Sequence, residues 1–243
     1  SNDISFKFDK FDPNGKQLTF QGYASVLDTG VLQLNKVGTG LPKEIGGIAR
    51  YVAPFQIWSK ATGEVASFVT SFQFFLETSP NPANGASDGL TFFLAPPNSP
   101  LRRAGGYLGL FETSNKSDSS YQTVAVEFDT VGAPANTWDP GYPHIGVDVN
   151  RVTSIKTTKE KWNKRYKREV ANVWITYQAS SKTLTASLTY PQDQTSDSVS
   201  VDFKANLPEW VSVGFTGGTT VGGRETTHEI LNWYFSSTLE YQT

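Results

Sequence analysis

Residues 124–150 read VAVEFDTVGAPANTWDPGYPHIGVDVN and hold four hard ligands: Glu127, Asp129, Asp139 and His144. They span eighteen residues of a 243-residue chain that has only two histidines. Glu127 and Asp129 are two apart in an alternating stretch, so on a strand they share one face. Val124, Val126 and Phe128 then point the other way, into a core. Adjacent carboxylates on one sheet face repel unless a cation or a proton separates them. Carboxylates with one imidazole suit a transition ion such as Mn²⁺. Carboxylates with the amide oxygen of Asn136, a backbone carbonyl and water suit Ca²⁺. Asp129 and Asp139 could bridge two such ions. The intervening GAPANTWDPGYP carries three prolines, which stiffen a loop in place. Two other readings stand beside the metal site. One is a solvated strand edge with a lone histidine. The other is a carboxylate pair for glycoside hydrolysis, but the run Glu127–Gly132 lacks the second glutamate that such a strand carries.

The elements that must hold these residues are strands. Period-two alternation recurs in 4–8, 18–26, 31–37, 65–76, 89–96, 123–130, 144–150, 170–178, 184–191, 210–217 and 230–240. Clusters of Gly, Pro, Asn, Asp and Ser separate them. The best helical candidate is short, near Lys204 to Leu207. About a dozen short strands without a composition break predict one all-β domain over 1–243, built as a two-sheet sandwich. FQFFL and LTFFL, apolar on both faces, are expected in central strands covered on both sides. PNPANGASDG (80–89) reads as a long loop.

Composition narrows the function classes. Cysteine is absent, which excludes disulfides, zinc–thiolate sites and thiol nucleophiles. A net charge of -2 gives no polyanion signal, so nucleic acid is not an expected partner. The one basic run, KEKWNKRYKRE at 159–169, reads as a solvated loop or turn. No apolar run is long enough for a spanning helix, so membrane insertion is not expected. No basic-then-apolar leader precedes Ser1, and the expectation is a mature chain whose signal peptide has been removed. Asn115–Lys116–Ser117 is a glycosylation sequon. With the family resemblance below, it points to the secretory route, and so to a vacuole, a protein body or the extracellular space. His228, between a glycine-rich loop and the last strand, reads as structural.

VAVEFDT, the WDP tripeptide, HIGVDVN, SDGLTFFLAPP, GGYLGLF, LPEWVSVGFTG and ILNWYFSSTLE resemble the legume lectins. The match runs from SFKFDKF to the end of the chain. It implies a jelly-roll sandwich of the concanavalin A type, with a flat back sheet and a curved front sheet. It also implies sugar binding without catalysis, a need for Ca²⁺ and Mn²⁺, and assembly into homodimers or homotetramers that engage glycans and glycoproteins. By resemblance, Glu127, Asp129, Asp139 and His144 are the Mn²⁺ ligands, and Ser154 holds a Mn²⁺-bound water. Asp129, Asn136, Asp139 and one backbone carbonyl, assigned to Val131, are the Ca²⁺ ligands.

The same resemblance assigns the sugar site. Asp88 accepts two sugar hydroxyls, with charge-assisted strength. Gly106 lets the backbone approach and donate its N–H. Asn136 shares its side chain between Ca²⁺ and sugar. The peptide Ser87–Asp88 is implied to be cis and held by the metal site. GVLQLNKVG, GGIARY, SPLRRAGGYLGLF, WNKRY and SSKTLTASLTYP are most similar to the fucose-binding, anti-H(O) type of the family. Val131 stands where galactose- and mannose-binding members place an aromatic. Arg103, Ala104 and Gly105 complete the second loop, with Glu44 at the rim. Thr220 and Val221 come from the fourth loop, where Thr219 and Thr220 stand in place of an expected aromatic contact. L-fucose is therefore the expected sugar. Galactose or N-acetylgalactosamine is the alternative, and a storage or defence relative without sugar binding is a third reading.

Overall fold

The computed structural model describes residues 3–78, 87–114, 116–132, 135–160, 162, 169–220 and 225–241. The strands among them are β1 (Ile4–Phe8), β2 (Leu18–Gly22), β3 (Ser25–Val26), β4 (Leu32–Gln33), β5 (Glu44–Tyr51), β6 (Phe55–Gln56), β7 (Val65–Thr78) and β8 (Gly89–Ala95). They continue as β9 (Val124–Asp129), β10 (His144–Val149), β11 (Lys156–Lys159), β12 (Ala171–Gln178), β13 (Thr183–Tyr190), β14 (Asp193–Ser200), β15 (Trp210–Thr220) and β16 (Thr226–Glu240). The short helix predicted near Lys204 is α1, Phe203–Asn206, capped by the Asp202 carboxylate, which accepts the Ala205 N–H. Among the described residues no helix is long and apolar enough to cross a membrane.

Two antiparallel sheets form a sandwich. The back sheet has the order β14-β13-β12-β7-β16-β4-β3, with β1 also on β16. The front sheet has the order β11-β10-β9-β8-β15-β5-β2, with β6 on β15. Between them lies one aromatic-rich core. Val124, Val126 and Phe128 enter it as expected, meeting Phe72, Phe74, Phe92 and Phe215. Phe72 lies edge-on to Phe128 at 6.0 Å and to Phe215 at 4.9 Å, a favoured geometry for ring pairs.

The front sheet is covered on its second face too. Ile48, Phe93, Ala125, Leu110, Phe111, Tyr121 and Val152 form a smaller core there, roofed by the segment between β8 and β9. This explains why LTFFL in β8 is buried throughout. The parallel expectation for FQFFL in β7 is corrected. Phe72, Phe74 and Leu76 are buried, but Gln73 and Phe75 are half-exposed, because none of the described residues covers them on the outer face of the back sheet. The basic run is also corrected at one point. Trp162 is fully buried, and its indole N–H donates to the Tyr190 hydroxyl at 2.9 Å. Residues 161 and 163–168 lie outside the described part.

Candidate functional site

β9 and β10 pair so that His144 faces Asp129 and Gly146 faces Glu127. One sheet face therefore carries Glu127, Asp129, His144 and also Asp148, which stands four residues beyond His144. Asp139 arrives from the loop, where its N–H closes a turn on the Asn136 carbonyl at 3.1 Å. Glu127, Asp129, Asp139 and His144 each offer a ligand atom, and these atoms all lie within 4.8 Å of one another. All four residues are buried.

The donor set fits a divalent cation. Glu127 Oε2, Asp129 Oδ2, Asp139 Oδ2 and His144 Nε2 are buried and lack a hydrogen-bond partner. Such orphans are costly in a folded protein unless something satisfies them. His144 Nδ1 lies 3.1 Å from the Tyr142 carbonyl, so that nitrogen donates and Nε2 keeps its lone pair toward the acids. Nε2 is 3.2 Å from Glu127 Oε2, 3.7 Å from Asp139 Oδ1 and 3.9 Å from Asp129 Oδ2.

The electrostatics say the same. Burial opposes ionisation of Glu127, yet the neighbouring His144 and Asp148 outweigh it and hold the carboxyl down at about 2. Burial, then repulsion from Glu127, pushes Asp139 up to about 7 and Asp129 well above the usual carboxylate range. Burial works against a charged His144, but Glu127 prevails and raises it. A cation would replace the protons that otherwise hold this cluster together.

Ser154 lies beside Glu127, and it reaches a second acid. Its hydroxyl lies 2.6 Å from both Glu127 Oε1 and Asp148 Oδ1. One hydroxyl proton cannot serve two carboxylates, so a second proton must sit in this trio. Burial and repulsion from Glu127 both push Asp148 above the usual carboxylate range. Sequence reasoning missed Asp148, although the i, i+4 alternation from His144 could have found it.

The sugar-site candidates gather at the same end of the front sheet. Ser87–Asp88 is cis. Gly89 pairs with Asp129 across β8 and β9. The Asp88 carbonyl accepts both the N–H of Thr130 at 3.1 Å and its hydroxyl at 3.0 Å. Asp88 Oδ2 accepts from the Thr220 hydroxyl at 2.8 Å. Thr219, Ser87 and Thr226 form a buried hydroxyl network behind it. A Cβ on Gly106 would meet the Asn136 side chain at 2.2 Å, so the two residues are in contact. A Cβ on Gly105 would meet the Glu44 carboxylate at 3.0 Å, and Glu44 pairs with Thr220. Gly105 also has φ +66, which favours glycine.

Ala104 is half-buried in the same loop. Val131 is buried, and its N–H donates to Asp129 Oδ1 at 2.9 Å. Arg103 is exposed, with its guanidinium 4.3 Å from the Tyr107 ring centre. Thr130, Tyr107 and Trp138, which the sequence reading did not assign, contact these candidates or one another: Thr130 bonds Asp88, Tyr107 lies under Arg103, and Trp138 packs on Tyr107. Val221 and Asn115 lie outside the described residues. His228 is structural, as read: it is buried and tied to Asn35 Oδ1 through Nδ1 at 2.8 Å.

The model of the legume lectin domain matches residues 3–243. This chain is a member of the legume lectin family. It is 70% identical to anti-H(O) lectin 1 of Ulex europaeus, over 98% of each chain. It is 54% identical to anti-H(O) lectin 1 of Cytisophyllum sessilifolium, over 98% of this chain and 97% of that one. The fold superposes with a TM-score of 0.91 on lectin I from Ulex europaeus in complex with the methyl glycoside of α-L-fucose, at 69% identity and covering 98% and 99% of the two chains. Lectin UEA-II complexed with galactose matches with a TM-score of 0.90 at 51% identity, covering 98% and 100%. The legume lectin sandwich expected from the motifs is thus the fold observed.

Proposed function

We propose that this legume lectin binds L-fucose in H-type glycans, with Ca²⁺ and Mn²⁺ shaping the site, and that it performs no catalysis. The carrying observation is the convergence of Asp88, Gly106, Asn136 and Thr220 beside the acidic cluster. Glu127, Asp129, Asp139 and His144, with Ser154, would hold Mn²⁺. Asp129, Asn136, Asp139 and the Val131 carbonyl would hold Ca²⁺. Asp88 accepts hydroxyls, the Gly106 N–H and the Asn136 amide donate, and Arg103 adds a cationic donor at the mouth. Ala104, Gly105, Glu44, Val131, Thr220 and Val221 complete the rim. The fucose assignment is supported by the 70% identity to an anti-H(O) lectin.

A shallow site for a small hydrated sugar binds at mM to tens of µM, or about −4 to −6.5 kcal/mol. Useful avidity then requires several sites per particle. A homodimer or homotetramer through the uncovered back sheet supplies them, with half-exposed Trp174 on that face. The whole of 1–243 acts as one domain in this reading, delivered through the secretory route to a vacuole, a protein body or the outside.

A glycan array with metal-loaded protein, repeated after EDTA, is the test. Binding to α-L-fucosylated H-type glycans that EDTA removes is the expected result. Metal-dependent binding to galactosides instead would overturn the sugar, and no binding with both metals present would overturn the lectin reading.

A further inference from the structure

Asp88 is anchored at its backbone by Gly218 and Thr130 and at its carboxylate by the Thr220 hydroxyl, but among the described residues the Arg103 side chain has no such polar anchors. Arg103 is exposed, and among the described residues no carboxylate pairs with it. An unanchored arginine samples many rotamers, and ordering it on a ligand costs entropy. What holds it is a ring. Its guanidinium carbon lies 4.3 Å from the centre of Tyr107, within the range of a cation–π contact. Tyr107 in turn packs on Trp138, with ring centres 4.8 Å apart and planes at 38°. Trp138 is the residue before Asp139 and two after Asn136, on the loop whose turn Asp139 N–H closes. Both rings also pack against the second core beneath the segment 101–123.

We propose that Tyr107 is a positioning residue: through its contacts with Arg103 and Trp138 it makes the place of the Arg103 guanidinium depend on the order of the metal-binding loop. The metal cluster then reaches the pocket by two separate routes. One runs through Thr130 to the Asp88 backbone. The other runs through Trp138 and Tyr107 to Arg103. The first serves a carboxylate common to any sugar in the site, and the second serves the charged group at its mouth. The sugar-binding consequence rests on the lectin reading above, whereas the coupling between the two loops does not.

The coupling is measured without sugar. Amide exchange in the intact protein is followed with Ca²⁺ and Mn²⁺ and after EDTA, in wild type, Tyr107→Phe and Tyr107→Leu. The expected result is that metal protects 102–109 in wild type and in Y107F. In Y107L that protection is lost, while protection of 87–89 persists. Equal metal protection of 102–109 in Y107L would overturn the proposal. A methyl α-L-fucoside titration adds a double-mutant cycle with Arg103→Ala. Y107L is expected to weaken binding two- to five-fold, the scale of an exposed cation–π contact, and Y107F to restore it. Y107L in the R103A background should have no further effect. Full additivity of the two substitutions would also overturn it. Absence of fucoside binding in wild type would sink the functional reading alone, leaving the exchange result to decide this one.

Discussion

The backbone carbonyl of Asp88 accepts two hydrogen bonds from one residue, the N–H and the hydroxyl of Thr130. Thr130 follows Asp129 directly, so the strand that presents the acidic cluster also grips the residue assigned to the sugar. No side chain in the cluster need touch Asp88 for order to pass between them. Thr130→Val keeps the shape and the N–H bond but removes the hydroxyl. We expect a loss of about 1 kcal/mol in stability, a several-fold weaker fucoside affinity and little change in Ca²⁺ or Mn²⁺ affinity. Thermal melting, sugar titration and metal titration on one protein check this, and an equal fall in metal affinity would contradict it.

Thr220 acts on the same residue from the other side, donating to Asp88 Oδ2. A hydrogen bond to a charged group is worth about 1.5–3 kcal/mol. Thr220→Val should therefore misdirect the carboxylate and reduce fucoside affinity about ten-fold or more. Titration calorimetry at fixed metal concentration gives the answer. Unchanged affinity would mean that Thr220 merely lines the rim.

Gly106 faces Asn136 so closely that an added Cβ would fall 2.2–2.8 Å from three atoms of its amide. Gly106→Ala must displace Asn136, which is assigned to both Ca²⁺ and sugar. Loss of sugar binding with a native circular dichroism spectrum is the expected outcome. A variant that binds normally would show that Asn136 is elsewhere when the site is filled.

Much of this site was legible because it obeys period two. The shared face of Glu127 and Asp129, and the core face of Val124, Val126 and Phe128, follow from alternation alone. Strands β5, β6, β11 and β14 fell outside the predicted stretches, and β5 and β14 escaped for opposite reasons. EIGGIARY in β5 hides its pattern behind Gly46 and Gly47. Gly47 is required because a Cβ there would come within 2.1 Å of the Leu34 carbonyl oxygen. DQTSDSVS in β14 is an edge strand with mostly polar residues, so it lacks an apolar rhythm. The residues joining metal to pocket, Thr130, Tyr107 and Trp138, were illegible because their roles arise from contacts between loops distant in sequence. Trp162 was misread for a related reason: a basic run surrounds a core residue.

The acidic cluster should exchange protons for metal. Without an ion, burial and Glu127 hold Asp139 at about 7 and push Asp129 well above the usual carboxylate range. Raised carboxyl values mean protons stay bound as pH falls below about 7, in competition with cations. Metal affinity is therefore expected to fall as pH drops below 7, with proton release on binding. Calorimetry in two buffers of different ionisation enthalpy counts those protons. Ser154→Ala removes the hydroxyl between Glu127 and Asp148 and should cost about 10- to 100-fold in Mn²⁺ affinity, the usual scale for such supporting groups.

His228 predicts a separate acid sensitivity. Burial depresses it to about 3, whereas an unfolded chain titrates near 6.5. The folded value lies below the unfolded one, so below pH 6.5 the unfolded state takes up a proton that the folded state refuses. Stability from this group is complete above 6.5 and is lost as pH falls toward 3, at about 1.4 kcal/mol per unit within that window. His228→Gln puts an uncharged amide beside Asn35 and removes the titration. It should cost about 1 kcal/mol at neutral pH through the disturbed Asn35 bonds, and its stability should fall less steeply between pH 6.5 and 3 than that of wild type. Urea unfolding of the EDTA-treated protein, which keeps the metal cluster out of the comparison, measures both slopes. Parallel slopes would show that His228 is protonated in the folded protein.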